Sequence, residues 1–172
     1  MGRMYYDKDF YEKDIRRKES RTGSVIVIGP EASGTKWISK TIKNHEDVHC
    51  VHHLSFPSGE DRHWPDLWKF DNLGLSSIII VCRDETITKL SQERMGYTKQ
   101  PKEYIDTAKT YIKQQLSTWK GKVALISYES MLQWPTIELS QTFRLLDYDE
   151  NKFDYNTIKP IDGNKKYVRM EE

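Results

Sequence analysis

The sequence predicts an α/β domain of three layers, a parallel sheet of four to five strands with helices on both faces. Three observations predict it. Short runs rich in Val and Ile recur along the chain, at 24–28, 77–82 and 123–126. Runs apolar on both faces suit strands buried in a parallel sheet. Segments with three- and four-residue apolar spacing lie between them, and strands that alternate with helices build parallel sheets.

The elements follow in order. Residues 1–22 form a polar arm with three tyrosines and the basic cluster Arg16-Arg17-Lys18, read as a solvated charge run; the domain proper spans 23–172. Ser24 to Ile28 is the first strand, ended by Gly29-Pro30, and a helix follows from Lys36 to Asn44 with Trp37, Ile38 and Ile42 on one side. Val48 to Val51 reads as a short second strand, and 52–74, with Pro57, Gly59, Pro65 and Gly74, reads as irregular. Ser77 to Cys82 is the third strand and reads as central, followed by a helix over 85–95. Pro101 opens a long helix whose face carries Tyr104, Ile105, Ala108, Tyr111, Ile112, Leu116 and Trp119, with Gly121 as its stop. Val123 to Ile126 is the fourth strand, 136–146 the last helix, and the tail from Asp147 reads as polar.

Bulk composition narrows the function classes. The chain has 172 residues, 37% hydrophobic and 31% charged, with a formal net charge of +1, so it suits one domain with no overall field for nucleic acid or membrane surfaces. Any anion site must be local. No run approaches the roughly 20 apolar residues that cross a bilayer, the first 21 residues lack an apolar signal core, and no Asn-x-Ser/Thr sequon occurs. The expectation is a cytoplasmic protein. The two cysteines, Cys50 and Cys82, sit in or beside apolar runs and read as buried thiols, and no metal-ligand spacing is present.

The loop after the first strand carries the strongest chemical signal. Gly29-Pro30-Glu31-Ala32-Ser33-Gly34-Thr35-Lys36-Trp37 runs from a buried strand straight into a helix. Backbone N–H groups at a helix start lack partners in their own helix and point at one spot, where the helix dipole adds positive potential. Ser33, Thr35 and Lys36 add two hydroxyls and an ammonium, which together make a cradle for phosphate or sulfate. The spacing departs from the ATP-binding pattern of Gly, four residues, then Gly-Lys-Ser/Thr, because the last pair is reversed as Thr35-Lys36. The reversal moves the ammonium about 100° around the helix, away from the usual ATP–magnesium geometry.

The loop resembles that of sulfotransferases dependent on 3′-phosphoadenosine 5′-phosphosulfate (PAPS), whose usual form is Pro-Lys-Ser-Gly-Thr-Thr-Trp after an apolar strand. Here Ser33-Gly34-Thr35 is followed by Trp37. Two further strand ends carry the resemblance. Cys82-Arg83-Asp84 ends the third strand and Ser91 follows Arg83 by eight residues; in that family an Arg and a Ser so spaced hold the 3′-phosphate. Tyr128-Glu129-Ser130-Met131-Leu132 ends the fourth and is similar to the family's Tyr-Glu-Asp/Ser-Leu/Met, with Thr142-Phe143-Arg144-Leu145-Leu146 in place of its Phe-Leu-Gly helix. The resemblance covers residues 24–150 in three patches. It implies a P-loop-like fold, with Ser33, Gly34, Thr35 and Lys36 on the 5′-phosphosulfate, Trp37 and Tyr128 beside the adenine, and Arg83 and Ser91 on the 3′-phosphate. It also implies a basic, glycine-bearing C-terminal segment over that phosphate, here Asp162-Gly163-Asn164-Lys165-Lys166-Tyr167, with Lys165 or Lys166 in contact.

The same resemblance implies transfer of a sulfuryl group to a hydroxyl or amine on a small-molecule, glycan or peptide acceptor, with no metal. Val51-His52-His53-Leu54-Ser55-Phe56 is similar to the family's Thr-His-Leu-Pro-Phe, which places its base at His53. An ordinary imidazole pKa of about 6.5 suits a proton acceptor near neutrality. His52, Glu60, Asp61 and His63 remain alternatives. One departure stands out: the family's Lys before Ser-Gly-Thr is Ala32 here, and Lys36 is the nearest ammonium in sequence. Two other readings stay open, a nucleotide kinase or hydrolase using ATP and magnesium, and a nucleotide-binding module without catalysis. The short chain implies an open acceptor cleft built from 52–74 and 95–103.

Overall fold

A computed structural model describes residues 24–57, 64–70, 76–160 and 162–168. The polar arm of residues 1–22, and with it Arg16-Arg17-Lys18, lies outside the described residues, as do Glu60, Asp61 and His63.

Four parallel strands form one sheet: β1 Ser24–Pro30, β2 Cys50–Phe56, β3 Ser77–Cys82 and β4 Val123–Ser127, in the spatial order β2-β1-β3-β4. The helices are α1 Thr35–Ile42, α2 Glu85–Arg94, α3 Pro101–Leu116, α4 Tyr128–Gln133, α5 Pro135–Leu145 and α6 Lys165–Val168. β1 and β3 are central because their runs are apolar in both directions. Val25, Val27, Ile79 and Val81 meet Ile38 and Ile42 of α1 and Leu139 and Phe143 of α5 on one face. Ile26, Ile28 and Ile78 meet Ala108 and Ile112 of α3, with Leu54, Phe56 and Leu67, on the other. The sheet is thus the middle of three layers.

Strand order reverses at β1. α1 carries the chain from β1 to β2 on one face, while α2 and α3 carry it from β3 to β4, with α3 packed on the other. The crevice between neighbouring strands that lead to opposite faces is where open parallel sheets bind ligands, beyond the carboxyl ends of the strands. Here it lies between the tips of β1 and β3, at the glycine-bearing loop and Arg83.

Several expectations are corrected. The second strand runs over Cys50–Phe56, not 48–51, so His52 and His53 lie inside it. Pairing with β1 in continuous register from Ser24↔Cys50 to Pro30↔Phe56 extends this edge strand into the segment that composition alone assigned to a loop. The long helix stops at Leu116, where its amphipathic stripe runs out, and Trp119 packs beyond it. A short helix, α4, follows β4 directly, its start capped by the Ser127 hydroxyl, which accepts from the Ser130 N–H. The tail from Asp147 is not a solvated end: Phe153 is buried against His45 and Phe143, and Tyr155 and Ile158 pack on the same core. Of the two thiols, Cys50 is half-buried and Cys82 is exposed at the tip of β3. No helix among the described residues is long and apolar enough to cross a membrane.

Candidate functional site

The loop from Pro30 to Thr35 is shaped by two left-handed residues, Ala32 at φ 67° and Gly34 at φ 95°, on either side of Ser33. Such a reversal curls the backbone and gathers successive N–H groups on its concave side. Gly34 is required twice over. A Cβ there would sit 2.5 Å from the Tyr128 ring, and φ 95° is costly for any residue with a side chain. Gly34 caps α1 without a side-chain hydrogen bond. Among the described residues, no acceptor meets the N–H groups of Gly34, Thr35 and Lys36. The Ser33 hydroxyl is buried, 1% exposed, and has no partner either; it lies against Gly29, where a Cβ would come within 2.3 Å of it. A buried hydroxyl without a partner costs about 1–3 kcal/mol.

The rim beside the loop is acidic as well as cationic. Glu31 is tucked between β2 and the segment after α2. Its carboxyl meets the hydroxyls of Ser55 and Tyr97, its N–H donates to Phe56 O at 3.2 Å, and its carbonyl accepts from Gln92 Nε2 at 2.9 Å. Burial pushes the Glu31 carboxyl up from its ordinary 4.5, against the lowering effect of those hydrogen bonds. The Ser55 hydroxyl also lies 3.3 Å from Thr35 Oγ1, so a chain of hydroxyls links Glu31 to the start of α1.

His53 shares the α1-facing side of β2 with Ser55. Burial, and then the nearby ammonium groups of Lys36 and Lys40, hold the imidazole below its ordinary 6.5. It is therefore neutral at neutral pH and able to accept a proton. His52 points to the other face, its Nε2 3.2 Å from Cys50 Sγ. Lys36 is exposed at the start of α1, within electrostatic reach of His53.

At the tip of β3, Arg83 joins three elements. Nη1 donates to Ala32 O at 2.7 Å, and Nε and Nη2 both donate to Asn164 Oδ1, at 3.0 and 2.7 Å. The guanidinium also lies over the Tyr128 ring, 4.7 Å from its centre. Tyr128 is buried over Gly34, its hydroxyl accepts from the Gly163 N–H at 3.0 Å, and its ring meets Trp37 edge-on at 5.3 Å. The Trp37 indole N–H donates to Lys159 O at 3.1 Å. Glu129 completes the cluster, accepting from the Asp84 N–H and from Asn164 Nδ2 at 3.1 and 3.2 Å. Ser91 is buried on α2 and faces Tyr167.

The structure therefore gathers Ser33, Gly34, Thr35, Trp37, Arg83 and Tyr128 at one end of the sheet, and it brings the C-terminal segment to them. The contact with Arg83 comes from Asn164; Lys165 and Lys166 are exposed. His53 stands on the β2 side of α1, apart from the Arg83 cluster. Glu31, Ser55, Tyr97, Glu129 and Asn164 were not singled out in the sequence. Ser55 becomes legible once β2 is read through to Phe56, since it then alternates with His53. Glu31 and Tyr97 carry no pattern that marks them, and Asn164 is marked only by its place in the glycine-bearing segment 162–167. An open groove of about 930 Å³ lies between α2 and α3, lined by Lys89, Glu93, Gln100, Glu103, Asp106 and Tyr111 among others, and includes part of the 95–103 segment expected in an acceptor cleft. Among the described residues no group of three or more His, Cys, Asp or Glu is placed to hold a metal ion. No family model matches the chain, and no curated protein does.

Proposed function

We propose that this chain is a P-loop-like, PAPS-dependent sulfotransferase, which moves a sulfuryl group to a hydroxyl or amine acceptor. The observation that carries the reading is the start of α1: three backbone N–H groups without partners around a buried, unpartnered Ser33 hydroxyl, at the switch point of a parallel sheet. A tetrahedral anion supplies acceptors to all of them. Arg83 on the adjoining strand tip supports a second anion in the same ligand, and Trp37 with Tyr128 offers aromatic surface beside the loop for a purine.

The 5′-phosphosulfate lies on Ser33, Gly34, Thr35 and Lys36, and the 3′-phosphate reaches Arg83 and Ser91. The acceptor oxygen or nitrogen attacks sulfur in line. Its bond to sulfur forms as the bond from sulfur to the bridging oxygen breaks, and the electron pair leaves on the 5′-phosphate of 3′-phosphoadenosine 5′-phosphate (PAP). The acceptor proton passes to neutral His53, and Lys36 balances charge at the transferring group. Such transfers depend on positioning and charge stabilisation more than on covalent help from the protein.

A second reading, a nucleotide-binding module that does not transfer, is favoured by Ala32, which stands where the resembled family has its loop Lys and whose carbonyl is tied to Arg83. The test is thermal stabilisation by PAP against ATP with magnesium at equal concentration, followed by PAPS turnover with 2-naphthol as acceptor. A ligand at 100 times its dissociation constant adds about 2.7 kcal/mol. A PAP shift that Arg83→Ala removes, with turnover, is the expected result. A PAP shift without turnover selects the module, and a shift with ATP–magnesium alone overturns both.

A further inference from the structure

The groups proposed to hold the 3′-phosphate are already covered by the chain's own C-terminal segment. The two edge donors of Arg83, Nε and Nη2, form the fork that grips a phosphate through two parallel hydrogen bonds. Both converge on the single carboxamide oxygen of Asn164. Three residues on, Tyr167 is buried and brings its hydroxyl to the side chain of Ser91, the other residue proposed for that phosphate. Just before Asn164, Gly163 donates to the Tyr128 hydroxyl, and a Cβ at 163 would come within 2.9 Å of that oxygen and 3.4 Å of Arg83 Nη2, so the strap is seated closely.

The buried Tyr167 hydroxyl has the side chains of Ser91, Lys166 and Arg94 as its polar neighbours, so the strap occupies both groups proposed for the phosphate. Asn164 offers one neutral oxygen to both donors, whereas a phosphate offers two ionised oxygens in the parallel, bidentate arrangement that suits the guanidinium fork. A phosphate dianion is the better acceptor for the same fork.

We infer that Asn164 is an internal competitor for the anion of Arg83, and that the 162–167 strap must release that fork before a ligand bearing a 3′-phosphate binds in full. The strap then sets specificity: a nucleotide without the 3′-phosphate gains nothing from displacing it. The inference rests on the proposed PAP site, but the fork itself takes any tetrahedral dianion.

Two substitutions with opposite expected signs test it. Asn164→Ala removes the competing oxygen and tightens PAP, measured by titration calorimetry, by about tenfold, with adenosine 5′-phosphate unchanged. Asn164→Asp, made together with Glu129→Gln so that the new carboxylate does not face the one Asn164 Nδ2 now donates to, adds a charge to the competitor and weakens PAP by tenfold or more. Where wild type binds PAP, weaker or unchanged binding by Asn164→Ala overturns the inference, because Asn164 is then a ligand-holding residue or a bystander. Sodium sulfate supplies the arm independent of the nucleotide. If Asn164→Ala binds sulfate more tightly than wild type while neither protein binds PAP, the nucleotide reading falls and the strap stands. If the variant gains affinity for neither, the strap falls.

Discussion

The tips of β1 and β3 lie side by side at the switch point, and both carry donors suited to an anion, but their states differ. At β1 the donors are backbone N–H groups at the start of α1, and among the described residues they have no partner. At β3 the donors belong to a side chain, and Arg83 has placed three of them on Ala32 and Asn164. The difference follows from reach. The N–H groups of a helix's first turn are fixed by the backbone and cannot turn to seek acceptors. A guanidinium on a flexible stem can, and it settles on the best oxygen nearby. One half of the site is preformed, and the other is conditional on release.

The preformed half is the easier to break. Gly34→Ala combines a φ that disfavours side chains with a collision against Tyr128, and is expected to cost about 3 kcal/mol in urea unfolding and to abolish the PAP shift. Gly163→Ala, on the conditional half, meets only the Tyr128 hydroxyl and Arg83 at 2.9 and 3.4 Å, so a loss near 1 kcal/mol is expected, with the strap displaced and the α1 loop intact. Equal losses from the two would erase the distinction. Ser33→Ala sharpens it. The free protein loses an unpartnered buried hydroxyl and is expected to melt no lower than wild type, while PAP binds about fivefold more weakly. A drop in melting temperature with unchanged PAP affinity would mean that the hydroxyl supports the loop and not a ligand.

The smallest effect lies beside the site, in the pH dependence of Glu31. The folded protein holds this carboxyl's proton more tightly than the unfolded chain does, so the stability it contributes is present below pH 4.5 and drains away as pH rises through the folded value. Glu31→Gln has no such dependence. Its melting temperature relative to wild type is expected to climb between pH 4 and pH 7, and a constant difference across that range would show that burial does not govern this carboxyl.

Much of this architecture is legible in the sequence because the physics behind it is local. Runs such as Val25 to Ile28 and Ile78 to Val81 can satisfy both their apolar faces only inside a covered sheet, and Gly34 before Thr35 announces a tight entry into a helix. β2 was underestimated because it is an edge strand: His52, His53 and Ser55 interrupt its apolar pattern, and pairing with β1 decides its length. The packing of the tail does not show in the sequence because its anchors, Phe153, Tyr155 and Ile158, are spaced too irregularly to show a period, although each packs on the core. The resemblance brings the segment 162–167 to Arg83 but not the choice of Asn164 within it, and the partners of Glu31 do not show at all, because both sets are distant in sequence: Arg83 is 81 residues from Asn164, and the Glu31 carboxyl depends on β2 and on Tyr97. Contacts of that kind are set by topology, not by neighbours along the chain.

The exposed thiol at the tip of β3 gives the experimenter a handle. Cys82 immediately precedes Arg83, and the sequence's other cysteine, Cys50, is half-buried on the far edge strand. Partial burial of its sulfur raises the Cys82 pKa above the ordinary 9.0, with Lys109 pulling the other way, so attachment of a maleimide dye calls for mildly alkaline buffer. A fluorophore there sits one residue from the guanidinium that the strap and the ligand contest, and its emission would follow that exchange in real time, without waiting for an acceptor to be identified.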